Sequence, residues 1–549
     1  MTTTAQRDEP LMVDGQALTV PQVACVGLGS CKRPLLAGAG LADRMQKSAD
    51  LVANAIHENQ TIYGVTTGFG GMAEFTVDPE QASASQNNLM AFLATGAGAP
   101  IAARHTRAAM LLRANVMAQG CSGVRPELVH RLLRFLRAGA TPVVRELGSI
   151  GASGDLVPLS VIARAITGQP GFVNIQLGNR TIDSSAALRE LDLEAIKLLP
   201  KEGLALVNGT SFSSAIAANC VYEFRHLMAL AMAVEAMLME ALNVQREPFE
   251  DFVHKKKAHP GQQWTARVMR QLLLRGREQS DVQPKHVQDR YSLRCLPQYM
   301  GSIVEGLARI TGVVETEMNS VSDNPLVDVE QGRFYQSGNF LGQYVGLAMD
   351  DLRKYTGLLA KHLDVQIATL VSPEFSNGLP ASLRGNPDIP YNMGLKGLQI
   401  TGNSIMPMLT WYGNSIVDHY PTHAEQYNQN INGLSWGSAN LAWKSVELFQ
   451  HYLSVAMVFG VQSLDLRAHA VHGHYDGRVL VGTMLADVYE GICKALNVEL
   501  SEERPLVFDD VDHWLEQGLA SLAEEIQSHG AVVESVDPVL RSFDEEFSG

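Results

Sequence analysis

LMALAMAVEAMLMEALNV, residues 227–244, is the longest apolar stretch of the chain. Its length approaches that of a membrane span, but Glu235 and Glu240 fall inside it, and carboxylates at mid-depth of a bilayer are costly. The stretch therefore reads as a helix buried in protein or at an interface. Met228, Met232, Met237 and Met239 read as adaptable core filler, not as a metal or cofactor box. Apolar-rich stretches recur at 211–246, 297–320, 340–371 and 438–463, longer than ordinary globular helices. Residues 103–137 also place apolar side chains at helical spacing and are closed by Gly139. Strand signals are short and few, chiefly Leu18 to Val26 and Gly171 to Leu177. Gly and Pro cluster at 64–71, 148–154, 384–390 and 473–477, which marks loops between long helices. This pattern predicts an all-α body whose chemistry sits on loops and helix ends.

The 549 residues suffice for two or three conventional domains or one large helical body. A formal net charge of −15 argues against a nucleic-acid binder, and Lys255-Lys256-Lys257 reads as a solvated loop. Cysteines at 25, 31, 121, 220, 295 and 493 form no CxxC pair, the pattern of reduced thiols in the cytoplasm. The opening MTTTAQRDEP has no apolar core, so no secretory leader is expected, and neither membrane nor nucleic acid is expected as a partner. His469, His472 and His474 cluster locally but read as a solvated loop, and no metal is expected. Acidic residues gather between 501 and 545, where a separate, mostly helical tail is expected. No internal repeat or low-complexity segment is evident.

The chemistry centres on GSIGASGDLVPLS, residues 148–160. It lacks the Gly-Lys-Ser/Thr ending of a phosphate-binding loop. Ser153 has Gly151 two residues before it but Asp155 two residues after it, so it is not a nucleophile elbow either. Ala152-Ser153-Gly154 can instead fold tightly enough for one backbone amide to attack another's carbonyl. Gly154 offers the least hindered nitrogen. Loss of water from Ser153 then leaves an exocyclic methylene conjugated to a five-membered ring, an electrophile that the ordinary side chains do not supply.

Between about Val20 and Asp476 the chain carries, in order, YGVTTGFGG (63–71), GSIGASGDLVPLS (148–160), KEGLALVNGTS (201–211), QDRYSLRCLPQ (288–298), SDNPL (322–326), GNFLGQ (338–343), NMGLKGLQ (392–399) and AEQYNQNIN (424–432). With these motifs the chain resembles the aromatic amino acid ammonia-lyases, a family that also holds histidine ammonia-lyase and the related aminomutases. The wording is most similar to bacterial, cyanobacterial-type members acting on phenylalanine. The resemblance implies a long central helical bundle of the fumarase/aspartase-like superfamily. It places an electrophile-bearing domain at 1–200, the bundle at 201–480 and a helical C-terminal segment at 481–549. It also implies that Ala152, Ser153 and Gly154 mature, without added reagents, external cofactor or metal, into 4-methylidene-imidazol-5-one (MIO).

Further roles follow from the same resemblance. Tyr63 is the expected base and Tyr291 a second catalytic tyrosine. A tyrosine of ordinary pKa, about 10, is protonated at neutral pH, so surroundings that favour phenolate are expected around Tyr63. Arg294, three residues after Tyr291, would grip the substrate carboxylate in a bidentate fashion. Asn208, Gln288 and Asn324 match polar positions around that carboxylate and the MIO, while Lys396, Glu425 and Asn428 match further binding or amine-side positions. The implied assembly is a homotetramer in which each active site draws on three chains. Eliminating ammonia requires removal of a weakly acidic β-proton and expulsion of a poor leaving group. Capture of the amine by the electrophile improves the leaving group, whereas attack by the aromatic ring acidifies the proton; the sequence leaves both routes open.

Substrate choice in the family tracks a ring-side pair, matched here by Phe92-Leu93. An apolar pair suits an unsubstituted phenyl ring. Tyrosine-preferring relatives place a histidine first, and histidine lyases carry Ser-His there and a glutamate where this chain has Gln429. An unpaired phenol in an apolar pocket is costly, so the pair also discriminates against tyrosine. The expected reaction is conversion of L-phenylalanine to trans-cinnamate and ammonium. The rivals are an aminomutase, a tyrosine or histidine lyase, and a non-catalytic scaffold. Close relatives read His-Gly-Gly-Asn where this chain has Gln336-Ser337-Gly338-Asn339, a departure that bears on fine geometry.

Overall fold

The computed structural model describes residues 9–31, 33–168, 173–274, 287–419, 423–511 and 514–547. The valine-rich Leu18–Val26, expected as a strand, is instead helix α1 (Val20–Leu28). Its signals are Pro21 in the first turn and a Thr19-x-x-Gln22 box, in which the Thr19 amide donates to Gln22 Oε1 at 3.0 Å. The second expected strand is present as Asn174–Leu177, antiparallel to Arg180–Asp183, while Gly171 and the first eight residues, where no leader is expected, lie outside the described residues.

Seven further helices position the site: α2 (Ala103–Ala118), α3 (Leu156–Thr167), α4 (Ser211–Leu242), α5 (Leu296–Met318), α6 (Gln343–Leu370), α7 (Lys396–Tyr412) and α8 (Ser435–His472). Helix α4 is the axis. Apart from Tyr222 and His226 all of its residues are buried, with α2, α5, α6 and α8 packed around it. The two carboxylates of the opening stretch find partners inside protein: Glu235 Oε1 lies 2.5 Å from His362 Nδ1, and Glu240 Oε1 lies 2.6 Å from Arg246. Among the described residues no helix is long and apolar enough to cross a membrane.

The N-termini of α3, α4, α6 and α8 converge on the loop 150–155, and α5 ends beside it at the segment holding Ser322 to Asn324. Gly342 N and Gly433 N donate to Gly151 O at 3.1 and 3.3 Å, and Leu434 N donates to Ile150 O at 3.0 Å. Buried Arg113 of α2 ties this end together, its Nε donating to Ala205 O at 2.8 Å and its Nη1 to Ser322 O at 3.0 Å. The strands are short two- and three-stranded pieces around this end, such as Ala97–Pro100 antiparallel to Arg145–Leu147. The C-terminal helices Leu515–Gln527 and Asp537–Phe547 dock on the bundle through buried Leu522 and Phe543, and Trp264 Nε1 donates to Ser542 Oγ at 3.1 Å.

Candidate active site

Ala152 and Ser153 form the floor of a cavity of about 590 Å³. Gly151 and Gly154 both have φ of 64°, the left-handed region that favours glycine. At Gly154 a side chain is also excluded by contact, since a Cβ built there would stand 2.2 Å from Gly209 O. The loop is clamped from below. Ser149 Oγ donates to Gly154 O at 3.2 Å, and Asp155 N donates to Gly209 O at 2.8 Å. The buried Asp155 carboxylate accepts from Ser213 N at 2.7 Å and Ser213 Oγ at 2.6 Å. Burial pushes the Asp155 pKa up, and the Ser213, Ser149 and Phe212 donors oppose that shift. The converging helix N-termini place a positive potential under the loop, suited to negative charge that develops there.

Tyr63, Phe92, Asn208, Asn324, Glu425, Asn428 and Gln429 line the same cavity, so most of the residues singled out in the sequence are brought together. Asn208 Nδ2 donates to Ser153 O at 3.1 Å, while its buried Oδ1 has no partner. Asn324 Oδ1 accepts from Ser337 N at 2.7 Å. Glu425, Gln426 and Tyr427 all have positive φ, one left-handed turn built without glycine. Ala424 and Gln429 pair across it through two 3.2 Å backbone bonds, and the turn presents Glu425, Asn428 and Gln429 to the cavity.

Tyr63 departs from expectation. Its hydroxyl oxygen accepts from Gly70 N at 2.9 Å, but burial raises the phenol's pKa and the Glu425 carboxylate raises it further, so the residues of one chain disfavour phenolate. Leu93 is a core residue that does not line the cavity, and its carbonyl accepts from Ser160 Oγ at 3.3 Å. Gln288, Tyr291, Arg294 and Lys396 also lie outside the cavity wall. Tyr291 is 73% exposed and Lys396 opens α7 at the surface. Arg294 sits 4.8 Å over the Tyr291 ring, and its buried Nε has no partner. Leu89, Leu156, Leu204 and Phe340 complete the apolar wall without having been singled out, although Leu156, Leu204 and Phe340 stand inside quoted motifs. The divergent Gln336 and Ser337 line the cavity directly, beside Gly338. Among the described residues no cluster of metal-binding side chains occurs.

The fold and site define a helical carbon–nitrogen lyase. Residues 18–490 match the aromatic amino acid lyase family, and the chain belongs to it. It is 48% identical to a phenylalanine ammonia-lyase of Nostoc punctiforme, over 98% of this chain and 96% of the relative. It is 38% identical to an aromatic ammonia-lyase of Loktanella atrilutea, over 97% and 99% of the two chains. Among solved structures, histidine ammonia-lyase from Trypanosoma cruzi superposes with a TM-score of 0.84 at 27% identity, covering 98% and 97% of the two chains.

Proposed function

We propose that this chain is a phenylalanine ammonia-lyase that deaminates L-phenylalanine non-oxidatively to trans-cinnamate and ammonium. The carrying observation is one cavity that joins Ala152-Ser153, the Tyr63 hydroxyl and the apolar Phe92. Phe92 is flanked there by Leu89 and Leu156, with no polar side chain from the Phe92-Leu93 pair to meet a phenol or imidazole.

The residues present fit an MIO made from Ala152, Ser153 and Gly154. The turn already has left-handed geometry at Gly154, and no side chain fits against Gly209. The unpaired Asn208 Oδ1 beside Ser153 supplies an acceptor for an N–H group. The MIO supplies an electrophile for the substrate's amine or ring. Tyr63 takes the β-proton at its phenol oxygen once that oxygen is ionised, and Phe92, Leu89 and Leu204 hold the ring and exclude water. Asn208 and Asn324 orient the polar end.

Among the described residues no carboxylate clamp lines the cavity of one chain, nor does a cation to favour Tyr63 phenolate. A homotetramer would supply both if Tyr291 and Arg294 of one copy and Lys396 of another completed the site. This explains an exposed Tyr291 on the surface and an Arg294 Nε without a partner. All six cysteines are free, which suits a reducing cytoplasm. The test is purified protein with L-phenylalanine, L-tyrosine or L-histidine and no added cofactor. Cinnamate with stoichiometric ammonium from phenylalanine alone supports the reading, and Ser153→Ala must then lose the MIO absorbance and nearly all turnover. β-Phenylalanine as product would move the enzyme to the aminomutases; no product from any of the three would overturn the lyase reading.

A further inference from the structure

A second cavity, of about 450 Å³, lies behind the segment that carries Phe92. Ala91 and Ala94 wall it, while Phe92 between them faces the active cavity. The start of α3 divides the two spaces in the same way, with Leu156 on the active side and Val157 on the other. Among the described residues the lining is otherwise aliphatic, apart from Arg145, Arg164 and Asn174, and holds no carboxylate.

Arg164 is the anomaly. It is 8% exposed, its side chain has no hydrogen-bond or ion-pair partner among the described residues, and its Nε is buried without an acceptor. Other buried arginines meet an anion even where one nitrogen is left over: Arg131 pairs with Glu127 and two carbonyls, and Arg353, whose Nε also lacks an acceptor, pairs with Asp350 and two carbonyls. Burial lowers the Arg164 pKa with no nearby carboxylate to offset it. The neighbouring Glu146 carboxylate is engaged 3.2 Å from Lys444. A buried guanidinium left without an anion is costly, and the shape of the site indicates what relieves that cost.

We propose that this cavity is a second, non-catalytic binding site for a small apolar monocarboxylate, held at its carboxylate by Arg164. A planar guanidinium matches a carboxylate, and the valine-rich walls match an aryl or alkyl body. Arg145, on the same wall, donates Nη1 to Gly98 O at 3.2 Å, whereas Arg164 has no hydrogen-bond partner among the described residues. Trans-cinnamate and benzoate share the required chemistry. The cinnamate probe rests on the lyase reading, whereas benzoate tests the cavity independently of it.

The experiment is calorimetric titration of the whole enzyme with benzoate and with trans-cinnamate, for wild type, Arg164→Met and Val161→Glu. The second variant places a carboxylate one helical turn before Arg164 and occupies the guanidinium from within, so it remains informative if Arg164→Met fails to fold. Wild type should bind two benzoates per chain. In either variant the second event should weaken by roughly tenfold or more while the first persists. Equal stoichiometry and affinity in all three proteins would overturn the site. Two benzoates but one cinnamate would keep the site and exclude the reaction product as its occupant. Failure of phenylalanine deamination alongside an intact benzoate result would sink the functional reading alone.

Discussion

Replacing Lys201 by Met tests how the active-site wall is held. Lys201 Nζ lies 3.0 Å from Asp323 Oδ2 with both side chains 0% exposed. The other Asp323 oxygen accepts from Asn324 N at 2.8 Å, and its carbonyl accepts from Ser337 Oγ at 2.9 Å, so the pair anchors two cavity-lining residues. Methionine matches lysine in length, and both are non-glycine residues at the left-handed φ of 74°, so backbone strain is unchanged. At an effective dielectric of about 20 the lost attraction is about 5–6 kcal/mol. Buried pairs broken from one side typically cost about 3–5 kcal/mol. Arg113, which also attracts Asp323, remains in place, so the lower end, about 3 kcal/mol, is expected. Urea unfolding at fixed protein concentration measures this. In Lys201→Met/Asp323→Leu much of the stability should return. A loss below about 1 kcal/mol in Lys201→Met would refute the anchoring argument.

Three further outcomes are expected. Glu425→Gln removes the carboxylate that raises the Tyr63 pKa, so the acidic limb of the rate–pH profile should move to lower pH even though the maximal rate falls; an unmoved limb would separate Glu425 from Tyr63. Burial pushes Asp465 up to about 7, against donors from Tyr489, Leu506 and Gly477. Its folded value thus exceeds an unfolded value of about 3.9, so it contributes stability below that pH which is lost as pH rises through about 7. Asp465→Asn should remove this decline from the thermal midpoint, and a wild-type-minus-variant difference independent of pH would falsify the assignment. Finally, inactive Tyr63→Phe and Arg294→Ala proteins, dissociated and reassembled together, should regain part of the activity if sites are shared between chains. No recovery would mean that one chain holds a complete site.

What the sequence makes legible depends on whether a signal is local. The helices 211–242 and 435–472 are legible because burial on nearly all sides leaves long apolar runs, and two glutamates suffice to separate burial from a membrane. Helix α1 is not, because Val20, Val23 and Val26 carry a strand propensity that Pro21 and the Thr19–Gln22 box overrule. The site divides in the same way. Motif order assembles Tyr63, Ala152-Ser153, Asn208, Asn324 and the 424–429 loop around one cavity, but it cannot say that Arg294, Tyr291 and Lys396 lie outside it. The left-handed turn 425–427 has no glycine to announce it, since its strain is held by the Ala424–Gln429 pairing and by Gly70 and Gly71, where a Cβ would strike Glu425 and Gln426. Those two glycines come from the loop of Tyr63, and Gly70 N also donates to the Tyr63 hydroxyl. One loop therefore sets both the position of Tyr63 and the position of the carboxylate that raises its pKa. Within one chain burial and that carboxylate both raise the Tyr63 pKa, and among the described residues no Lys, Arg or His side chain lines the cavity to oppose them.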